Sequence, residues 1–268
     1  MGAGVVGGAL VRYFESRRTG VAVYDPPKDL GSLEDLNAAS MIFVCVPTPY
    51  TPGVGFDDSH LLEAVRSLEG SKIAVIKSTV LPGTTDLLQQ RFPQHRFLFS
   101  PEFLREATAY QDFTEPDRQV VGFTDRSEPD AVRVMALLPR APLEKFCPAA
   151  EAEMAKYVAN AFLAVKVSYA NEVFDLCGRL GIDYAGVRDI AGADARIGTS
   201  HMDVLHSGYR GYGGKCLPKD TRALLDLART MGAPMDVLLA ADRANARLCG
   251  ESELAAANVR AISAERAA

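Results

Sequence analysis

From Ala149 to Leu180 the chain holds no proline, and no glycine before Gly178. Nothing in that stretch interrupts helical hydrogen bonding, so it predicts one continuous helix. At 1.5 Å per residue such a helix runs about 45 Å, longer than a small domain is wide. It is therefore expected to link two domains and to offer a face to a second subunit. A chain of 268 residues is long enough for two modest domains.

Ahead of the helix, short apolar runs alternate with amphipathic segments. Val21–Asp25, Met41–Val46, Lys72–Ser78, Arg96–Ser100 and Gln119–Phe123 read as strands, and residues 5–18, 59–68, 83–91 and 127–138 as helices. This order predicts an α/β fold: a mainly parallel, Rossmann-type sheet with helices on both faces. Pro139, Pro142 and Pro148 then break the pattern. Residues 1–147 are read as the sheet domain. Residues 148–268 are read as the long helix plus a smaller all-helical domain of shorter helices, whose alanine-rich tail from Ala255 to Ala268 is expected to fray.

Gly2-Ala3-Gly4-Val5-Val6-Gly7 matches G-x-G-x-x-G. Its glycines permit a tight turn, close approach of backbone to a pyrophosphate and close helix packing. Gly2, Gly4, Val5, Val6 and Gly7 are thus candidate dinucleotide contacts. Asp25 ends the next predicted strand, where an acid accepts hydrogen bonds from a ribose diol and favours NAD over NADP. The fingerprint calls for a strand before its first glycine, and only Met1 stands there. The first strand of the sheet is therefore read as missing, and the gene product is expected to begin upstream.

A second glycine-rich segment, residues 208–222, delivers Cys216 to the start of a predicted helix. Pro218 suits the first helical turn. Lys215 and Lys219 flank the thiol, and they and the helix dipole favour thiolate over thiol. Most lone cysteines are inert core residues; the glycines, the lysines and the following Pro-Lys-Asp point here to a nucleophile. On the long helix, Lys156 and Asn160 stand four apart on one face, with Asn171 further along the same stripe through Leu163 and Val167. Val158, Ala161 and Val165 mark another, apolar face. A lysine and an asparagine so spaced can reach one substrate hydroxyl. Glu102 and Glu106 follow the strand at 96–100 and Thr79 the strand at 72–78, in the loops where open α/β sheets bind ligands.

Together these segments resemble the UDP-glucose/GDP-mannose dehydrogenase family. The matching stretches are G-A-G-V-V-G at 2–7, V-P-T-P at 46–49, K-S-T-V-L-P-G-T at 77–84, S-P-E-F-L-R-E at 100–106, P-D-R at 116–118, A-K-Y-V-A-N-A-F-L-A at 155–164, D-A-R-I-G at 194–198 and G-Y-G-G-K-C-L-P-K-D-T at 211–221. The resemblance implies oxidation of a nucleotide-sugar primary alcohol to a carboxylate with two NAD, UDP-glucose being the first candidate. It makes Cys216 the nucleophile that attacks the aldehyde. Lys156, Asn160 and Asp220 would position the reacting oxygen, help move its proton and hold a water. Glu102, Glu106 and Thr79 would serve acid/base and water-ordering roles. It adds Val46, Pro47, Thr79, Glu106 and Lys219 as cofactor contacts. Its substrate contacts are Glu102, Phe103, Leu104, Lys156, Asn160, Arg196, Tyr209 and Gly213, with Arg196 reaching a neighbouring subunit's substrate in a homodimer built on the long helix. Typical members continue into another nucleotide-binding domain, which this reading does not find before Ala268.

A formal net charge of −5 argues against a nucleic-acid partner, and no apolar run is long enough to span a bilayer. Five widely spaced cysteines suggest a reducing cytoplasm and no disulfide or zinc framework. Two further readings stay open: a β-hydroxyacid-type dehydrogenase, which has no use for Cys216, and a non-catalytic remnant or regulatory subunit.

Overall fold

The apolar runs of the first half assemble into a five-stranded sheet. In the computed structural model, which describes residues 1–206 and 208–265, its strands are β1 (Met41–Val44), β4 (Ile73–Ile76), β5 (Arg96–Phe99), β6 (Arg118–Phe123) and β7 (Leu143–Pro148), in that spatial order. A hairpin of β2 (Tyr50–Thr51) and β3 (Gly55–Phe56) interrupts the first crossover. Two helices precede the first strand, α1 (Val5–Ser16) and α2 (Leu33–Ala38), and four lie between strands, α3 (Ser59–Arg66), α4 (Thr84–Arg91), α5 (Ala109–Thr114) and α6 (Ala131–Leu137). The chain divides into two compact units, Met1–Lys156 and Tyr157–Ala268.

The first unit is a mostly parallel sheet covered on both faces. Ile42, Val44, Ile76, Phe97 and Phe99 share one core with Leu61 and Val65 of α3. Ile73, Val75, Leu98 and Val121 turn to the other, against Leu10 and Phe14 of α1 and Val134 of α6. This two-residue alternation with both faces buried is why the strands read as nearly continuous apolar runs. Each such side chain contributes about 1.5–3 kcal/mol on leaving water. β1, β4 and β5 run parallel; β6 meets β5 antiparallel, and β7 follows β6 in parallel. β7 lies among the prolines read as a break. Its Leu143 and Phe146 are exposed, so it lacks the buried pattern that betrays the others.

One predicted strand does not form. Val21–Asp25 is no strand here; it makes a single isolated bridge, Asp25 to Leu30. A strand exists only through a ladder, and on this side of the sheet only Gly2 offers a rung, donating its N–H to Tyr24 O at 2.9 Å.

The long helix α7 (Ala149–Leu180) is as predicted. Its first turns belong to the first unit and pack directly on the sheet: a Cβ at Gly122 of β6 would lie 2.8 Å from Ala152 Cβ and 2.9 Å from Ala149 Cα. One turn on, Glu153 is fully buried. Its carboxylate accepts the Gly83 and Thr85 N–H groups at 2.6 and 2.9 Å and the Thr85 hydroxyl at 2.6 Å, capping α4 where no local side chain does.

The second unit holds the rest of α7, α8 (Tyr184–Gly192), α9 (Leu217–Thr230) and α10 (Asp236–Glu265). It also carries a two-stranded hairpin, β8 (Leu205–His206) with β9 (Tyr209–Arg210), inside the region read as wholly helical. The alanine-rich tail runs on in α10 as far as Glu265; residues 266–268 lie outside those described. Ala170, Cys177, Tyr184, Met202 and Val204 form one small core, and Ala164, Val167 and Tyr212 another.

Burial raises the Glu153 carboxyl above its usual 4.5, although its three hydrogen bonds oppose the shift. The folded state therefore holds this proton more tightly than the unfolded chain, and stability contributed by Glu153 grows as pH falls toward 4.5. Glu153→Ala, which strands two backbone amides, is expected to cost about 2–4 kcal/mol. Glu153→Gln should cost less and lose the gain on acidification. Urea unfolding of the three proteins at pH 7 and pH 5 measures both effects.

Candidate active site

In the first unit, the loops after β1, β4 and β5 emerge at one edge because those strands are parallel. Two bonds tie the first two of these loops together: Thr48 Oγ donates to Thr79 O at 2.7 Å, and Ser78 Oγ to Val46 O at 2.7 Å. Val46, Pro47 and Thr79, expected at the cofactor, thus sit in one cross-linked ledge. The glycine loop arrives beside it. A Cβ on Gly2 would come within 2.6 Å of Cys45 O, and one on Gly7 within 2.0 Å of Gly2 O. Both positions exclude any side chain. A Cβ on Gly4 would meet nothing within 4 Å. Gly4 is the N-cap of α1; no side chain caps that end and its first turn carries no acid. Uncapped amides above an open glycine fit the pyrophosphate of a dinucleotide. Asp25, expected at the ribose, also serves the loop: its Oδ2 accepts the Ala3 N–H at 2.8 Å, with Lys28 Nζ 3.9 Å away.

Beyond β5, Glu102 folds back on its own loop. Its Oε2 accepts the Leu104 N–H at 2.7 Å, and its Oε1 lies 3.2 Å from Lys156 Nζ. Both side chains are buried, at 10 and 4 % exposure, where a paired charge is tolerated and a lone one is not. Phe103 lies between two cations, with Arg118 3.7 Å and Lys156 5.6 Å from its ring centre. The P-D-R segment thereby reaches the S-P-E-F loop through Arg118. Glu106 is exposed and begins a 3-10 turn, Glu106–Thr108. Asp112 anchors that turn by accepting from the Arg105 amide and guanidinium and from Thr108; the Arg105 bond above all holds its carboxyl at about 2.

Lys77 was not among the expected site residues. It is buried beneath this cluster, donating to Ser100 O at 3.0 Å and Ser100 Oγ at 3.2 Å. Burial lowers its amine below the usual lysine range, while Cys45 and Glu102 pull it back up. A lysine closing an otherwise apolar strand was its signal in the sequence.

In the second unit, Cys216 is exposed at the N-cap of α9, with Pro218 in the first turn as expected. Amides of a first helical turn favour negative charge at that place. Asp220 is buried below it and takes a bond on each oxygen, from Asn160 Nδ2 and from Lys219 Nζ, both at 2.6 Å. Lys219, expected beside the thiol and the cofactor, is thus turned to Asp220. Asn245 of α10 fixes the glycine loop: its Oδ1 accepts the Tyr212 N–H at 2.7 Å and its Nδ2 donates to Tyr212 O at 2.9 Å. Gly211, at φ +81°, leaves room for that amide, since a Cβ there would lie 2.4 Å from Asn245 Oδ1. Nothing in the sequence reading singled out Asn245 as an anchor. Its mark is a polar residue among Leu238, Ala241, Ala244 and Leu248, buried apolar residues of α10.

Tyr209 of β9 lies against Gly213, its hydroxyl 3.2 Å from where a Cβ would stand. Asn171 accepts from Arg210 rather than extending the Lys156–Asn160 pair. Arg196 is 89 % exposed and turned onto Asp194, with Nε and Nη2 bonds of 3.0 and 2.5 Å. Lys166 holds that loop by the Ile197 and Gly198 carbonyls.

Comparison with known proteins places this geometry. Residues 31–137 match the NAD binding domain of the UDP-glucose/GDP-mannose dehydrogenase family, and residues 150–247 its central domain. The chain belongs to that family. It is 36 % identical over 221 residues to the UDP-glucose 6-dehydrogenase TuaD of Bacillus subtilis (strain 168), covering 78 % of this chain and 47 % of that protein. It is 37 % identical over 243 residues to the UDP-glucose 6-dehydrogenase of Rhizobium meliloti (strain 1021), covering 82 % and 54 %. The chain spans about half the length of the curated relatives it matches. Among solved structures, a UDP-glucose dehydrogenase from the hyperthermophilic archaeon Pyrobaculum islandicum superposes with a TM-score of 0.75 at 33 % identity, over 90 % of this chain and 56 % of that one. No helix among the described residues is long and apolar enough to cross a membrane.

Cys147 and Cys177 are buried, Cys45 and Cys249 half-buried, and burial pushes the Cys45 and Cys147 thiols up. Iodoacetamide at near-neutral pH is therefore expected to modify Cys216 first, as read by peptide mass mapping. Earlier labelling of any of the other four would contradict the assignment.

Proposed function

We propose that this chain carries the catalytic groups for NAD-dependent oxidation of a nucleotide-sugar C6 alcohol to the uronate, with UDP-glucose as substrate and Cys216 as covalent carrier. The observation that carries this reading is an exposed cysteine capping α9 above a buried Asn160–Asp220–Lys219 network. A single alcohol oxidation has no need of that thiol. The names of the relatives support the substrate.

Two NAD, bound in succession, would each accept one hydride. The Gly2–Gly7 loop would hold the pyrophosphate of each and Asp25 its ribose, the latter while still bonded to Ala3. A hydroxyl carbon gives up hydride only as its proton is removed, so a base must stand at that oxygen. The Lys156–Glu102 pair supplies both a donor for the oxygen and an acceptor for its proton. The Cys216 thiolate then adds to the aldehyde carbon, forming a C–S bond and an alkoxide stabilised by Lys156 and Asn160 donors. Loss of the second hydride leaves a thioester. Water, ordered by Thr79 and Asp220 and deprotonated by Glu102 or Glu106, breaks the C–S bond, releasing the carboxylate and restoring the thiolate.

The oligomer belongs to the same proposal. Val158, Phe162, Tyr169, Leu176 and Leu180 of α7 are exposed at helical spacing, a face suited to a second copy. In that dimer Arg196 would exchange Asp194 for the partner's substrate.

NADH formed per UDP-glucose tests the chemistry. Two are expected for the chain as it stands. Cys216→Ser should give at most one, with no uronate, because a serine hydroxyl ionises far less readily. Uronate formation by Cys216→Ser would overturn the thioester route, and an inactive parent chain would favour the non-catalytic reading.

Mixing tests Arg196. Arg196→Ala and Cys216→Ala chains, each inactive alone, should recover about a quarter to a half of the activity in proven mixed dimers if the arginine acts across the interface. No recovery would return Arg196 to its own subunit.

A further inference from the structure

Lys77 is a buried charged group that the chemistry above does not use; it is 3 % exposed. The sheet fixes its place. Ile76 pairs with Phe99 across β4 and β5, so the next residues, Lys77 and Ser100, stand side by side. The Lys77 N–H donates to Val44 O at 2.8 Å, which sets it next to Cys45 at the end of β1 as well. The residue therefore lies where the parallel strands β1, β4 and β5 end together. Its two side-chain bonds, to Ser100 O and Oγ, grip the backbone that leads through Pro101 to Glu102. The Phe113 ring of α5 lies 5.9 Å from Nζ.

These hydrogen bonds do not account for the charge. A neutral amide such as glutamine, with two N–H donors, would serve two acceptors on Ser100 equally well. A buried ammonium costs far more than a buried amide unless a counter-charge is near. Neither Ser100 nor Phe113 carries one. The titratable groups that act on Lys77 are Cys45 after β1, Glu102 after β5 and Lys156 of α7. Cys45 and Glu102 strengthen its hold on a proton, while burial and Lys156 weaken it. Glu102 thus answers to two lysines: Lys156 in contact, at 3.2 Å, and Lys77 at longer range.

The contact pair poses a difficulty for the oxidation proposed above. Lys156 is needed as a donor at the substrate oxygen and cannot stay fully engaged with Glu102. As it turns away, the Glu102 side chain, 10 % exposed, keeps only its bond from the Leu104 N–H. A carboxylate stranded in this way would pull the lysine back, or take up a proton and cease to be a base. We propose that Lys77 is a positioning residue, a second counter-ion that holds the Glu102 carboxylate in its charged form while Lys156 serves the substrate oxygen. The inference rests on the oxidation proposed above. Lys77 acts through Ser100 and Glu102 rather than on the reacting atoms. Ser100 holds its amine by two bonds, so its field is in place beforehand and needs no rearrangement during the reaction. One lysine moves and the other stays.

A titration of the full chain that needs no activity tests the pairing. The Lys77 amine is followed by NMR of the lysine side-chain carbons, its resonance assigned by its loss in Lys77→Met. Glu102→Gln removes the acid and is expected to move the Lys77 midpoint down by about one pH unit. Lys156→Met removes the like charge and is expected to move it up. Both variants leave the bonds to Ser100 in place. A Lys77 midpoint that neither variant moves would overturn the proposal. Kinetics tests the role. Lys77→Met is expected to lower kcat with UDP-glucose about tenfold or more while both KM values stay within about twofold. Lys77→Arg, which keeps the charge, should recover most of that loss. The parent kcat in Lys77→Met would overturn the proposal. An inactive parent chain would count against the oxidation reading alone, and the titration then decides whether Lys77 and Glu102 are partners.

Discussion

The first unit depends on a contact made by the absence of a side chain. Gly122 lets Ala149 and Ala152 press against the sheet backbone, and that seats the start of α7. β7 runs opposite to β5, so the helix that follows must double back toward the edge where the loops of β1, β4 and β5 gather. Two small residues and a glycine thereby set the height at which Lys156 meets Glu102. Glu153, between them in sequence, adds the rotational setting by capping α4 from the side. A larger residue at 122 would lift the helix and separate a charge pair more than fifty residues apart in sequence.

Electrostatics follows the same economy in each unit. Buried charges are met by opposite charges or by several hydrogen-bond partners: Glu102 by Lys156 and a backbone amide, Asp220 by Asn160 and Lys219, Lys77 by two acceptor oxygens of Ser100. Unpaired, any of them would cost several kcal/mol to bury. Groups held in this way are already oriented before a ligand arrives, which is what charge stabilisation in a reaction requires.

Much of this was legible in the sequence because it rests on local rules. A stretch without helix breakers became α7, buried apolar runs became β4, β5 and β6, and glycines at 2 and 7 stand where a Cβ cannot. What escaped depends on partners. β7 has exposed Leu143 and Phe146 and prolines about it, so only its ladder with β6 reveals it. Val21–Asp25 has the composition of a strand and lacks the ladder. Asn245, Lys77 and Arg118 look like ordinary polar residues until a neighbour distant in sequence shows what they hold. Lys219 and Arg196 were identified as functional side chains, but their present carboxylate partners, Asp220 and Asp194, were not read from the motif.

The Asn245 pin closes the chain on itself over 33 residues, with α9 carried inside the loop. Closure entropy grows only slowly with length, about 0.6 kcal/mol for each doubling. The exposed turn around Gly232, on the far side of α9 from Cys216, can therefore be lengthened at little thermodynamic cost while both ends of the loop stay clamped. That turn is a natural attachment point for a fluorophore or an affinity tag, one that would report on α9 and leave the thiol's surroundings as they are.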